Sequence, residues 1–281
     1  MTLRPVDRVI LAYVAIASMV ALWRVAGNPA IGWVLLANAL VVGLVWLVNQ
    51  PGLGRVGSAL ADIYPLFILL SLYGSLDLLA GRGGVITHDV TVRRWEAAIF
   101  GGQVSREWWQ HAPSRFWSTL LHGVYFSYYL VVPAGPLYFL WTGDRANLRR
   151  TIQAEVLAFV MCYVVFLFYP VAGPYYEFPR PDAAFLDNGP ARLVYRLLSG
   201  GSAYGAAFPS SHVAGMLTAA AVSAMGSRPL GVILGVPSLL LTVGVVYTQM
   251  HYAVDALGGM LVAGAVILVV HGGTNAERGL P

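Results

Sequence analysis

Charge is scarce in this chain: only 11% of its 281 residues are Asp, Glu, Lys or Arg, and none is lysine. The formal net charge of +4 therefore comes from arginine alone. With 58% hydrophobic residues and a mean hydropathy of +0.68, this composition excludes an ordinary soluble domain. We find no basic patch interleaved with aromatic side chains, which argues against nucleic-acid binding. The composition indicates an integral membrane protein.

Cysteine is almost absent as well, since Cys162 is the one cysteine of the sequence and lies in an apolar run. It cannot form an intrachain disulfide and gives no indication of the redox compartment. The first apolar segment is not followed by a small-residue cleavage site and a polar mature domain. We therefore expect it to be a retained membrane span rather than a signal peptide.

Long apolar runs predict an all-α, polytopic transmembrane helix bundle, because about 17 to 25 residues are needed to cross a bilayer. We expect about eight spans, with a polar connection at 49–62 and with Glu155 at the membrane interface. Residues 90–110 combine Trp and Arg and are expected to lie in the interface plane. The predicted spans are 9–26, 31–48, 63–80, 118–141, 152–169, 209–226, 230–247 and 251–270.

The spans suggest a division of the chain into three parts. Residues 1–58 would form an N-terminal two-span hairpin. Residues 59–272 would form a six-span catalytic core with long loops at 81–117 and 170–207. A short tail, 273–281, follows.

A phosphate-binding helix start is predicted at Pro209-Ser210-Ser211-His212, just before an apolar run. Proline suits a first helical turn and serine suits the capping position. The first turn of a helix has backbone N–H groups without intrahelical partners and the positive end of the helix dipole, so it can hold a phosphate without a metal. Ser210 and Ser211 are therefore candidate phosphate ligands, with His212 beside the anion.

His251 and Asp255 are four residues apart, which on a helix places them on one face within hydrogen-bond reach. A carboxylate that accepts from one ring nitrogen leaves the lone pair of the other nitrogen free to attack phosphorus. His212 could then protonate the leaving alcohol. Either histidine alone could merely satisfy a backbone carbonyl. Both together favour a function, because ionisable groups are costly in a membrane.

These motifs resemble the Pro-Ser-x-His and His-x-x-x-Asp motifs of the type-2 phosphatidic acid phosphatase superfamily. The His-Tyr-x-x-Asp form at 251–255 is most similar to the inositol phosphorylceramide synthase and sphingomyelin synthase branch. The resemblance implies a membrane enzyme that acts on a lipid, without metal or other cofactor, through a phosphohistidine. It implies that His251 is the nucleophile, that Asp255 orients it, and that His212 is the acid and later the base.

Two phosphate-binding cations of the superfamily are missing. Gly173 occupies the position of the lysine that stands seven residues before Arg180-Pro181 in the superfamily pattern. Val245 occupies the position of the arginine six residues before His251. These departures favour transfer of a phospho-headgroup to a lipid alcohol. The alternative is simple hydrolysis of a lipid phosphate such as phosphatidic acid or a polyprenyl diphosphate.

The proline-rich loop before His212 offers replacements for these cations, because loops that border a site usually supply its remaining contacts. Arg180 is the first candidate for charge-assisted binding of the phosphate. Further candidates for substrate contact are Tyr175, Tyr176, Arg192 and Arg196. Any one of these arginines could equally meet lipid headgroups or solvent.

The span count also predicts where the two histidines lie. With eight spans, both fall at one membrane depth, on the side opposite the termini. The positive-inside rule then places the termini in the cytoplasm and the active site on the extracytoplasmic side of the cell membrane. The short segments on the side of the termini carry Arg4, Arg8, Arg55, Arg145, Arg149, Arg150 and Arg228.

Two other classes of protein stay open. Two histidines and a carboxylate can form a facial iron or zinc site, as in a metal-dependent membrane hydrolase or oxygenase. The serines and helix start beside His212 argue instead for an anion. A transporter or scaffold could use the polar cluster as a relay or as structural glue, although the sequence shows no inverted repeat. The oligomeric state is not predicted.

Overall fold

The computed structural model describes residues 3–24, 30–80, 86–201 and 203–278, and this part of the chain is all-α with no β-strand. The predicted fold class, a polytopic helix bundle, is confirmed. The helices in the described ranges are α1 (Pro5–Arg24), α2 (Ala30–Val48), α3 (Gly54–Ala80), α4 (Asp89–Phe100), α5 (Val104–His111), α6 (Arg115–Thr142), α7 (Arg145–Phe168), α8 (Pro174–Glu177), α9 (Ala183–Leu186), α10 (Gly189–Gly201), α11 (Ser211–Gly226), α12 (Arg228–Tyr247) and α13 (Ala253–Arg278).

Each predicted span coincides with one long helix. Six of these helices, namely α1, α2, α3, α7, α12 and α13, are long and apolar enough to cross a membrane. The other two are α6, with 28 residues, and α11, which has only 16 residues and packs against α6, α7, α12 and α13. The total of eight spans therefore stays a prediction.

The predicted polar connection at 49–62 is wrong in its second half, because α3 already begins at Gly54. Asp62 lies inside this helix with 3% of its surface exposed. Its carboxylate contacts Arg145 at 3.1 Å and Arg149 at 2.8 Å, both at the start of α7. Paired charges can be buried, so the helix extends beyond the apolar run that predicted it.

The N-terminal helices share a core with the rest of the bundle. α1 packs against α2, α3 and α7, and buried residues such as Ile10, Val41, Leu72 and Ile152 belong to one hydrophobic cluster. At one end of this cluster the Asp7 carboxylate accepts hydrogen bonds from Arg4 and Tyr64. The division into a hairpin and a core stays a prediction.

Glu155 was expected at the membrane interface, and its depth in the membrane stays a prediction, but the structure shows that other helices cover its side chain. The residue lies within α7 with no exposed surface, and neither carboxyl oxygen has a hydrogen-bond partner in the described part of the chain. Its neighbours one turn away on the same face are Thr151 and Phe159. The length of the apolar run predicted the helix, but not which faces of α7 the other helices cover.

Replacement of Glu155 by Leu should stabilise the protein by about 1 to 3 kcal/mol, because an unpartnered buried polar group costs about that much. Thermal unfolding in detergent micelles would measure this as a rise in Tm of roughly 2 to 4 °C for each kcal/mol. Glu155→Gln, which keeps a polar group of the same shape, should give a smaller rise. A lower Tm for Glu155→Leu would contradict the prediction.

Candidate active site

A direct contact between α11 and α13 brings the two histidine motifs together. The backbone N–H of Ser210 donates to the carbonyl of Asp255 at 2.9 Å. Gly259 faces the Ser210 carbonyl, and a Cβ there would lie 2.9 Å from the Cβ of Val213, so only glycine permits this approach. The rings of His212 and His251 consequently lie 5.6 Å apart, centroid to centroid.

The start of α11 differs in detail from the prediction. The helix begins at Ser211, and Ser210 is its N-cap, whose side chain accepts from the N–H of Val213 at 3.4 Å. Pro209 follows a cis peptide bond and precedes the cap, so it does not lie in the first turn as expected. Ser211 lines the cavity described below, whereas Ser210 is buried beneath it as the cap.

The His251–Asp255 pair forms, but not as two residues of one helix. α13 begins at Ala253, so His251 lies in the preceding turn. Asp255 reaches back from the first turn of α13: its Oδ2 lies 3.3 Å from His251 Nδ1 and accepts from the N–H of Tyr252 at 2.8 Å. This is one half of a capping box, the bond from the carboxylate back to the N–H before the helix, and the same carboxylate oxygen also contacts the imidazole.

The turn that carries His251 is anchored by Gln249, which has a positive φ of 61°. Trp109 of α5 donates its indole N–H to Gln249 Oε1 at 2.8 Å, and Gln249 Nε2 donates to the carbonyl of Pro179 at 2.8 Å. Tryptophans of the 90–110 segment were expected to anchor the protein in headgroups. Trp109 is instead buried in the protein and braces this turn.

His251 is buried beside the cavity, and burial favours the neutral form of an imidazole. Burial lowers the pKa of its imidazole to about 4, although a hydrogen bond with the backbone of Ala207 acts in the opposite direction. An Asp255 carboxylate that accepts from Nδ1–H leaves Nε2 as the nitrogen with a free lone pair. The contact with Asp255 thus orients the imidazole in the site.

His212 lies between two tyrosines of α6. Its ring centroid is 4.7 Å from that of Tyr125 and 4.5 Å from that of Tyr128. Its Nδ1 is buried and has no hydrogen-bond partner among the described residues. The two tyrosines thus hold one of the two candidate catalytic rings.

Two carboxylates of α4 support the second motif. Asp89 accepts from the N–H groups of Ala172 and Gly173, at 2.9 and 2.8 Å, and from the Tyr252 hydroxyl at 3.0 Å. Glu96 accepts from the N–H of Ala253, the first residue of α13, at 3.0 Å. Burial raises the pKa of Glu96, while its hydrogen bonds oppose that shift.

The conformation of Gly173 explains why no lysine stands at this position. Its φ is +92°, which L-residues rarely adopt, and an added Cβ would lie 2.8 Å from the Cβ of Ala207. Its N–H is bound by Asp89, so the backbone here is fixed by a carboxylate. A side chain at this position would need a different path of the loop.

A cavity of about 580 Å³ opens beside the histidines. It reaches the outer surface of the bundle between α3 and α6, where Phe67, Leu70 and Leu137 are exposed, and α7 forms its inner wall. Seven tyrosines line it, namely Tyr73, Tyr125, Tyr128, Tyr129, Tyr163, Tyr175 and Tyr176. Its polar end is formed by Ser211, His212 and His251.

The predicted substrate contacts divide into two groups. Tyr175 and Tyr176 line the cavity. Arg180 lies behind Tyr175, with its guanidinium over the rings of Tyr175 and Tyr195 at 5.9 and 5.6 Å. Two further arginines lie at the exposed surface and not in the cavity wall: Arg192, which pairs with Asp187 at 2.8 Å, and Arg196.

The carboxylates Asp89 and Glu96 were not recognised from the sequence. Both lie in the segment that we expected to lie flat in the interface, where acidic residues are unremarkable. The sequence feature that could have identified them is an acidic residue beside apolar and aromatic residues in a short predicted helix. That signal does not identify Ala253 or Tyr252, more than 150 residues later, as the partner.

No group of three or more His, Cys, Asp or Glu side chains within the described ranges has an arrangement that could hold a metal ion. The activity was predicted to be independent of metal, and this stays a prediction.

The comparisons with known proteins give one match. The family model described as the PAP2 superfamily matches residues 92–269, which is more than half of the chain and includes His212, His251 and Asp255. No curated protein and no solved structure matches the chain significantly.

Proposed function

The chain belongs to the PAP2 superfamily and is a membrane protein of the lipid phosphatase type, and on that premise we propose that it transfers a phospho-headgroup from a phospholipid to a lipid alcohol. The observation that carries this proposal is the His251–Asp255 pair facing His212 at the polar end of a cavity that reaches the lipid-facing surface. The inositol phosphorylceramide synthase and sphingomyelin synthase branch performs this type of reaction.

The residues supply the nucleophile and the proton for a two-step displacement. His251 Nε2 attacks phosphorus, the bond from phosphorus to the lipid oxygen breaks, and protonated His212 gives its proton to that oxygen. In the second step His212 takes the proton of the acceptor alcohol, whose oxygen attacks phosphorus as the nitrogen–phosphorus bond breaks. The N–H groups at the start of α11 face the negative charge in both steps.

The absence of cations from the cavity wall supports a donor of low charge. Among the described residues that line the cavity there is no arginine, and the sequence has no lysine. Asp255, Glu96 and Asp89 place negative charge behind His251. A phosphomonoester dianion would be costly to desolvate there, whereas a phosphodiester brings a single negative charge.

The shape of the cavity supports a substrate that stays in the bilayer. Leu66, Phe67 and Leu70 of α3 face Val132 and Leu137 of α6 across the apolar part of the cavity. An acyl or prenyl chain can lie in this gap while its phosphate reaches Ser211 and the histidines. Two aliphatic substrates, the donor and the acceptor, would both enter by this route.

Simple hydrolysis of a lipid phosphate is the second candidate function. One observation favours it: the Arg180-Pro181 pair of the superfamily is retained, and Arg180 is separated from the cavity only by Tyr175. A rotation of these side chains would bring a cation to a dianionic phosphate.

We also propose that the site faces the extracytoplasmic side. Arg4, Arg145 and Arg149 gather around Asp62 at one end of the bundle, and the positive-inside rule assigns that end to the cytoplasm. His212 lies at the start of α11 and His251 just before α13. Both starts are at the end of the bundle where α7 finishes, away from the arginines at its start.

A matched pair of donors tests the proposed function. With the protein in vesicles that contain ceramide as acceptor, kcat/KM should be at least about tenfold higher for a phosphodiester such as phosphatidylinositol than for phosphatidic acid with the same acyl chains, because a diester carries less charge. Headgroup label should appear in a new lipid.

The contrary outcome is equally definite. Release of inorganic phosphate from phosphatidic acid at the higher rate, with no labelled lipid product, would establish the phosphatase alternative. Turnover of neither donor would argue against both.

A further inference from the structure

We propose that Glu96 of α4 is a positioning residue: it keeps Asp255 in the orientation that binds the nucleophile, His251. The inference rests on the proposed function, since it concerns turnover through His251. Glu96 lies in a separate helix more than 150 residues before the motif, and neither motif of the superfamily includes it.

The Asp255 carboxylate has more than one possible hydrogen-bond donor near it. A carboxylate in the first turn of a helix is attracted to the free N–H groups of that turn and to the positive end of its dipole. Asp255 takes the N–H of Tyr252, and the next N–H, that of Ala253, would be an alternative partner. Oδ1 of Asp255 is buried and has no hydrogen-bond partner among the described residues, so it is the oxygen that would turn toward Ala253 if that N–H were free.

Glu96 removes this alternative. Its Oε1 accepts from the N–H of Ala253 at 3.0 Å and from the N–H of Ser105 at 3.1 Å, and its Oε2 accepts from the Ser105 hydroxyl at 3.1 Å. Glu96 has no exposed surface, and two of its three hydrogen bonds come from backbone N–H groups. With Ala253 occupied, His251 Nδ1 and the N–H of Tyr252 remain as the partners of Asp255.

The charge of Glu96 acts in the same direction. A second carboxylate beside the first turn of α13 increases the negative field at the His251–Asp255 pair and so favours a more basic imidazole. Among the described residues, Asp255 of α13 and His212 of α11 contact His251 directly. One contact further away are Tyr125 and Tyr128 of α6, which pack on His212, and Asp89 of α4, which accepts from the neighbouring Tyr252.

The variant Glu96→Gln removes the negative charge of this side chain and keeps its shape. The amide oxygen can still accept from Ala253 and Ser105, and the Ser105 hydroxyl can turn to accept from the new NH₂ group. The variant should therefore fold with an unchanged Tm. With less negative charge, we expect kcat to fall about tenfold with KM within twofold, and the acid limb of kcat/KM to move to lower pH by about half a unit or more.

Glu107→Gln is the matched control. Glu107 lies in the neighbouring helix α5, accepts from the N–H of Gln103 at 3.1 Å, and contacts neither motif. It should leave kcat, KM and the pH profile unchanged. Glu96→Asp, whose shorter side chain keeps the charge, should retain the wild-type position of the acid limb even where kcat falls.

Glu96→Leu, which leaves the N–H of Ala253 without its partner, tests the positioning itself, and its kcat should fall further than that of Glu96→Gln. The proposal is overturned if both variants, folded by the criterion of Tm, have the kcat and acid limb of the wild type, or if their loss of activity is accounted for by unfolded protein. The assay also separates this failure from failure of the proposed function. In the first case turnover still depends on His251, whereas in the second the wild type itself fails to turn over either class of lipid.

Discussion

Replacement of His251 by Ala should reduce lipid turnover by at least about 10⁴-fold, because it removes the side chain that forms the covalent intermediate. The wild type, quenched during turnover of a donor with labelled phosphorus, should carry acid-labile, alkali-stable label on histidine. The variant should carry none. Rapid quenching followed by mass spectrometry of the peptide that contains residue 251 measures both quantities.

His111→Ala supplies the matched control for this experiment, since His111 is an exposed histidine at the end of α5. It should show wild-type rates and wild-type labelling. Retention of labelled protein in His251→Ala would mean that another residue attacks phosphorus. Activity without any labelled intermediate in the wild type would argue for direct displacement.

The loss caused by His212→Gln should depend on the leaving group. A lipid alkoxide needs a proton as it departs, so we expect a loss of about 10²- to 10⁴-fold with a lipid donor. A p-nitrophenyl phosphodiester has a leaving group that is stable without a proton. Formation of the intermediate from this ester should therefore slow by less than about tenfold, because the acid is no longer needed.

The second step, transfer from His251 to the acceptor, gives a further measurement on the same variant. His212 must also take the proton of the acceptor, so the variant should release roughly one equivalent of p-nitrophenolate in a burst and then stall. Stopped-flow absorbance measures the burst directly. Equal losses with both leaving groups and no burst would show that His212 has a role in folding or binding and not in proton transfer.

The sequence predicted the long helices well, because each consists of one apolar run and apolar length is a local property. Boundaries were less predictable where distant ion pairs act. The start of α3 is an example, since Asp62 is stable within the helix only because Arg145 and Arg149 lie opposite it. The burial of Glu155 was not predictable for another reason: it depends on which helices cover α7, and periodicity does not contain that information.

The candidate site was partly predictable for a related reason. His212, His251 and Asp255 stand in short motifs whose spacing carries the chemistry, so a single sequence is sufficient to propose them. Their supporting contacts come from elsewhere in the chain. Glu96 reaches Ala253 and Trp109 reaches Gln249 across 157 and 140 positions, and only the folded chain reveals such pairs.

The gap between α3 and α6 has a consequence for how rates must be expressed. If both reactants arrive sideways from the surrounding leaflet, the enzyme responds to their mole fraction among the lipids and not to the amount per volume of buffer. Dilution with inert lipid or detergent at constant bulk concentration would then slow turnover as a competitive inhibitor does. The turnover of a soluble phosphate ester, which enters from water, would not change on this dilution.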